Sequence, residues 1–98
     1  MIETFTEDTF LAHLNTRFRL SADAADPLEV ELVKVTPLSS PGHVQFSIQF
    51  QGPGDQLLPQ RTYSIEHEVL GRFDLFLVPV GKNASGFEYE AVFNRVVE

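Results

Sequence analysis

Between His43 and Gln51 apolar and polar side chains alternate, with Val44, Phe46, Ile48 and Phe50 on one side and mainly polar residues on the other. A period of two residues marks a half-buried strand, because successive side chains leave opposite faces of a sheet. The same alternation recurs along the chain. Phe18 and Leu20 alternate with Arg17 and Arg19, and a turn-rich stretch from Asp23 to Pro27 joins them to a second run, which predicts a hairpin of strands near 17–22 and 28–36. In that second run Leu28, Val30 and Leu32 alternate until Val33 and Val35 take over. The change of phase predicts a bulge near Leu32-Val33, which would bend the strand as barrel closure requires. Further strands are expected over Thr62–His67, Arg72–Gly81 and Phe87–Val96.

Before the first strand lies one short helix. Thr6 is a suitable N-cap, Glu7 and Asp8 sit at the positive end of the helix dipole, and Phe5 and Phe10 occupy the two positions of a hydrophobic staple. Phe10, Leu11 and Leu14 fall on one helical face, and Asn15-Thr16 is a plausible stop. A helix this short must pack on the sheet to persist. Gly42, Gly71 and Gly86 are expected to take positive φ in turns. The longest interruption, Gln51–Gln60, holds two glycines and two prolines, and its Leu57 and Leu58 are expected to tuck in over a barrel end. Short connections favour a meander. The fold class is therefore mainly β: a small antiparallel barrel or roll of about six strands with one short N-terminal helix packed on it, forming a single domain over residues 1–98.

One strand departs from simple alternation. Phe73, Leu75 and Leu77 point one way, while Phe76, Val78 and Val80 point the other. A strand apolar on both faces must be covered on both. The N-terminal helix is the expected cover for the second face, with a partner subunit as the alternative.

Composition narrows the function classes. With no cysteine, the chain can form neither disulfides nor thiolate metal sites, and cysteine catalysis is excluded. A formal charge of −7 without a basic cluster argues against nucleic-acid binding. The acidic start lacks the features of a signal peptide, and no apolar run approaches the ~18–20 residues of a membrane span. These features lead us to expect a soluble, cytoplasmic protein with no membrane partner.

Candidate chemistry is sparse. His13, His43 and His67 lie on a helix, a loop edge and a strand end, so no metal or other cofactor is expected. His67 shares strand parity with Tyr63 and Ile65 and so faces inward; a histidine bonded to backbone at a hairpin is the simpler reading than a general base. Ser64 and Asp55 could complete a triad with His67 only against strand parity, and no nucleophile elbow surrounds Ser64. Gly52-Pro53-Gly54-Asp55 lacks the ending of a phosphate loop and reads as a turn. Glu88 and Glu90 share one strand face, and contacts with Arg72 across a strand pair are expected there rather than a carboxylate dyad.

The pattern Phe50-x-Gly52-Pro53, Leu58-Pro59-Gln60-x-Thr62-Tyr63-x-Ile65-x-His67, Leu70-Gly71, Phe76-Leu77-Val78-Pro79-Val80-Gly81 and Tyr89-Glu90-Ala91-Val92-Phe93-Asn94 resembles a family of short bacterial proteins of unknown function. The resemblance implies no activity and no catalytic residues. It implies the company of phage-tail-collar-like proteins, and hence a role in assembly or adhesion. Most residues of the pattern are turn formers or core formers. Gln60, His67 and Asn94 are the polar members that packing does not explain, which makes them candidates for a shared binding site.

Two functions follow. The first is a non-enzymatic structural or protein-interaction module, docking on a protein partner or on itself through Phe76, Val78 and Val80. The alternative is a small-molecule binder or enzyme at an open barrel end, lined by Gln60, Tyr63, His67 and Tyr89. About six strands favour an interior filled by side chains, and so the first.

Overall fold

A computed structural model describes residues 5–21, 27–38 and 43–96, with the backbone alone described at 43, 44 and 94–96. Residues 23–26 of the expected connection Asp23–Pro27, residues 39–42 with Gly42, and the side chains of His43, Val44 and Asn94 therefore lie outside the described residues. One helix, α1 (Glu7–Leu11), precedes six strands: β1 (Arg17–Ser21), β2 (Leu28–Pro37), β3 (His43–Gln51), β4 (Arg61–His67), β5 (Gly71–Asn83) and β6 (Gly86–Val96). All neighbours pair antiparallel, and the order β1-β2-β3-β6-β5-β4 closes on itself as a barrel.

The order corrects the expected simple meander. β1-β2-β3 and β4-β5-β6 are each a meander, but β3 lies beside β6 rather than β4. The physical cause is the Gly/Pro-rich connection after Gln51, which is too long and too irregular for a hairpin and instead carries the chain across one barrel end. Two seams join the halves. The β3–β6 seam pairs from His43↔Val96 to Gln51↔Glu88, whereas the β1–β4 seam holds only Arg19↔Glu66, Leu20↔Ile65 and Ser21↔Ser64 among the described residues.

Alternation decides which residues fill the ring. Phe18, Leu20, Val30, Leu32, Ile48, Phe50, Ile65, Leu77 and Tyr89 are buried to within 1% of full enclosure. The expected bulge is present: Leu32 pairs with Phe50 and Lys34 with Gln49, leaving Val33 out of register. A second irregularity falls in β5, where Pro79 pairs with Tyr89 and Gly81 with Glu88. That slip at Val80 reverses the phase of β5, so that Lys82 comes opposite Phe87 and its ammonium lies 5.1 Å from the ring centroid.

The N-terminal segment folds as its cap residues dictate, in a place other than expected. Thr6 and Thr9 exchange the reciprocal side chain to backbone bonds of a capping box, and Phe5 meets Phe10 edge-on at 5.5 Å. Asn15 turns the chain with φ +67, and its N–H donates to the Leu32 carbonyl at 2.7 Å. Phe10 is fully buried against rings of the barrel lining: Phe93 at 5.2 Å, Phe46 at 6.0 Å and Phe73 at 6.4 Å. The helix thus plugs the barrel end and does not cover the outer face of β5, where Phe76 stays 50% exposed. A five-residue helix carries one anchoring ring, and that ring lowers its free energy most where it completes an aromatic core. Leu11, expected on the packed face, is exposed, while Leu14 is half-buried.

Candidate functional site

β4 carries the inward series Tyr63, Ile65 and His67, so the candidate residues stand on one strand and point into the barrel. His67 ends that strand. The turn Glu68-Val69-Leu70 follows, with Gly71 at φ +83, and the imidazole folds back over it. Nδ1 accepts from the N–H of Val69 at 3.0 Å and of Leu70 at 3.1 Å. Backbone N–H groups only donate, which assigns the ring proton of the neutral form to Nε2. Nε2 lies 3.0 Å from Thr16 Oγ1, and the Thr16 hydroxyl donates in turn to the His13 carbonyl at 2.7 Å. Hence Nε2–H donates to Thr16, and a chain of bonds runs from the β4–β5 turn to the end of the helical segment.

The ring is only 5% exposed, with Phe18 at 4.3 Å and the His13 ring at 4.7 Å. Burial, then the nearby His13, hold its pKa below the ordinary imidazole value, against an upward pull from Glu68. With both nitrogens engaged, His67 has no lone pair to offer a substrate, so its arrangement is that of a structural histidine. The sequence keeps the three histidines apart; the structure brings His13 and His67 together through the left-handed turn at Asn15, the expected helix stop, although no local pattern tells where that turn leads.

Outside His67 lies a concavity of about 530 Å³, where Arg17 and Phe18 face His67 and Glu68 beyond the last paired position of β1 and β4. Arg17, Arg19, Glu29, Glu66 and Glu68 line it. Arg17 stands 3.9 Å from Glu29, while Glu66 receives Arg19 at 3.8 Å and Arg72 at 3.6 Å. Arg72 therefore meets β4 and not the expected Glu88 or Glu90, because the β5–β6 register sets those glutamates beside Gly81 and Val78. Glu88 accepts instead from Gln49 at 2.8 Å.

The two tyrosines work at the opposite end of the barrel. Tyr63 donates its hydroxyl proton to the Pro59 carbonyl. Tyr89 Oη accepts from the Leu58 N–H at 3.0 Å and stands 3.5 Å from the Gln56 carbonyl. Burial raises the Tyr63 pKa, opposed by Arg61 and reinforced by Tyr89. Both rings are buried, and their hydroxyls tie down the 52–60 connection. Of its two leucines Leu58 is half-buried against the core, while Leu57 is 55% exposed, so only one of the expected pair tucks in. Gln60 is exposed on the same connection. His67 lies four residues beyond Tyr63 on β4, roughly 13 Å at the usual rise, so the structure does not gather Gln60, Tyr63, His67 and Tyr89 around one mouth.

The outer face of β5 presents the remaining candidates. Phe76 and Val80 are about half exposed, and Val78 is half-buried. Sequence reading missed Val92, which is 57% exposed on β6. The Val78↔Glu90 register, continued two places, sets Val92 opposite Phe76. The row across the sheet then reads Thr62, Phe76, Val92, Ser47 and Thr36, with no charge in it. The sequence pattern places Val92 on a strand, but its neighbour across the sheet follows only from the register.

Among the described residues no three His, Asp or Glu side chains cluster as a metal site, and no helix is long and apolar enough to cross a membrane. No curated protein and no solved structure matches the chain. A family model does match, from the staple residue Phe5 to Phe93, whose ring stacks on Phe46 at 4.7 Å. With residues 5–93 matched, the chain belongs to the family described as Domain of unknown function (DUF6916).

Proposed function

We propose that this domain is a non-enzymatic structural or protein-interaction module that docks through the outer face of β5 and β6. The observation that carries the reading is the uncharged row containing Phe76 and Val92, extended by Val78 and Val80, on a sheet face that α1 leaves open. Across β1, β4 and the start of β5 the outer face carries charge instead, at Arg19, Glu66 and Arg72. A local strip of apolar side chains on a charged surface is the usual form of an association site. The interior supports the same reading, since its buried tyrosines and histidine spend their polar atoms on the protein's own backbone and on Thr16. Within this class we place the module in a phage-tail-like assembly, on the sequence resemblance alone.

The test is sedimentation of the purified protein at micromolar concentration, alongside cross-linked recovery from its native host. The wild type is expected to self-associate or to retain a defined protein, and Phe76→Asp to abolish this while the circular dichroism is unchanged. A monodisperse monomer that retains no partner would refute the proposal. Saturable binding of a small molecule to such a monomer would favour the ligand-binding alternative.

A further inference from the structure

We propose that His67 is an acid-operated latch: a proton placed on the nitrogen that now accepts from Val69 and Leu70 frees the turn, and loosens with it the Thr16–His13 segment next to the Phe10 plug in the barrel end.

The argument rests on how the ring is wired. Nδ1 faces two N–H groups at 3.0 and 3.1 Å, and neither can reverse its polarity. A proton added there would bring three hydrogens together in a site from which water is nearly excluded. The ring must then leave, and its Nε2–H bond to Thr16 leaves with it. Thr16 is also the donor that fixes the His13 carbonyl, and His13 N–H donates to Phe10 at 2.9 Å. One protonation thus removes an anchor shared by the β4–β5 turn and the helical segment, and leaves that segment held by Asn15 N–H on the Leu32 carbonyl at 2.7 Å and by Leu32 N–H on the Thr16 carbonyl at 3.1 Å.

The surroundings supply both a push and a destination. His13 lies against the ring from the helical segment, its ring centroid 4.7 Å away, and disfavours a charge on His67. The charged groups on the other sides are Arg17 and Arg19 of β1, Glu29 of β2, Glu66 of β4, Glu68 of the turn, and Arg72 of β5, which stands on Glu66. Glu29, Glu66 and Glu68 line the concavity beside the ring. An imidazolium that swings outward enters that space and meets carboxylates, whereas one that stays inside meets Phe18 and two N–H groups.

The sign follows from the lowered pKa. The folded chain takes up the proton less readily than the unfolded chain, so the stability linked to His67 is whole above the ordinary imidazole pKa of about 6.5. It is lost as pH falls from there through the lower folded value.

Amide hydrogen exchange of the whole chain, corrected for intrinsic rates, and the His67 ring nitrogen shifts would be followed from about pH 7.5 to about pH 5. Protection at Val69 and Leu70, and at Ala12, His13 and Thr16, should fall together by about tenfold or more, with the midpoint of the ring titration. Leu58 and Gly52, at the far end, should keep theirs. In Thr16→Val the turn amides should still follow the ring while His13 and its neighbours cease to. His67→Gln can accept from the turn and donate to Thr16, and should lose the step in pH. Full protection of residues 12–16 while the ring titrates, a ring that stays neutral to about pH 5, or simultaneous loss at Leu58 and Gly52 would each overturn the latch.

Discussion

The two ends of this barrel are closed by different physical means. At one end aromatic rings carried by the N-terminal segment enter the core, so closure is apolar and is coupled to the rest of the fold through packing. At the other end a connection rich in glycine and proline lies across the strands, held by two tyrosine hydroxyls and by Gly52 N–H donating to Phe87 at 2.8 Å. Hydrogen bonds at a half-wet edge contribute little net free energy each, whereas a buried ring contributes several times more. Loss of the plug should therefore cost more than loss of any one hydroxyl bond of the strap.

Removing the plug is the severest way to test that contrast. Phe10→Ala is expected to cost about 3–5 kcal/mol in chemical denaturation, since its ring is fully buried. A cost near zero would show that α1 is dispensable and dissolve the distinction. Next in size is Gly86→Ala at the strapped end. A Cβ there would stand 2.2 Å from the Gly52 carbonyl oxygen and 2.6 Å from the Pro53 carbonyl carbon, at φ +140. We expect a loss of about 2–4 kcal/mol, with increased proteolysis within 52–60 as the loop is pushed away. The smallest effect belongs to Tyr63→Phe, about 0.5–1.5 kcal/mol, because the exposed Pro59 can turn to water. Its signature is local: faster exchange at Leu58 with the Phe10 end unchanged. Should Tyr63→Phe destabilise as much as Phe10→Ala, the strap would be part of the core.

Much of this architecture was legible in the chain because each feature had a local cause. Val33 broke the phase of β2 and marked its bulge; Thr6, Phe5 and Phe10 marked the helix start; Gly71 and Gly86 marked turns that need positive φ. The inward direction of Tyr63 and His67 followed from strand parity alone. What could not be read were facts that depend on distant pairing. Nothing local tells β3 to accept β6, sets Arg72 beside Glu66 or sends Phe10 into the lining instead of onto the outer face. For the same reason Thr16 gave no sign of its bond to His67, a residue on a different element. The outward strip was half visible: Phe76, Val78 and Val80 stood out within one strand, while Val92 joined them only through the register of its neighbour.

The narrow seam between β1 and β4 has a consequence for colloidal behaviour. A closed ring leaves no strand border on which another chain can template, and closure is the most complete defence against edge-to-edge aggregation. Here that defence rests on three paired positions among the described residues. Opening the seam would break few backbone bonds but would also uncover Phe18, Leu20 and Ile65, each at most 1% exposed, so packing across it keeps the ring sealed more than pairing does. The charge of −7 spread over a small surface then acquires a second meaning, since it keeps copies apart before any strand border could pair.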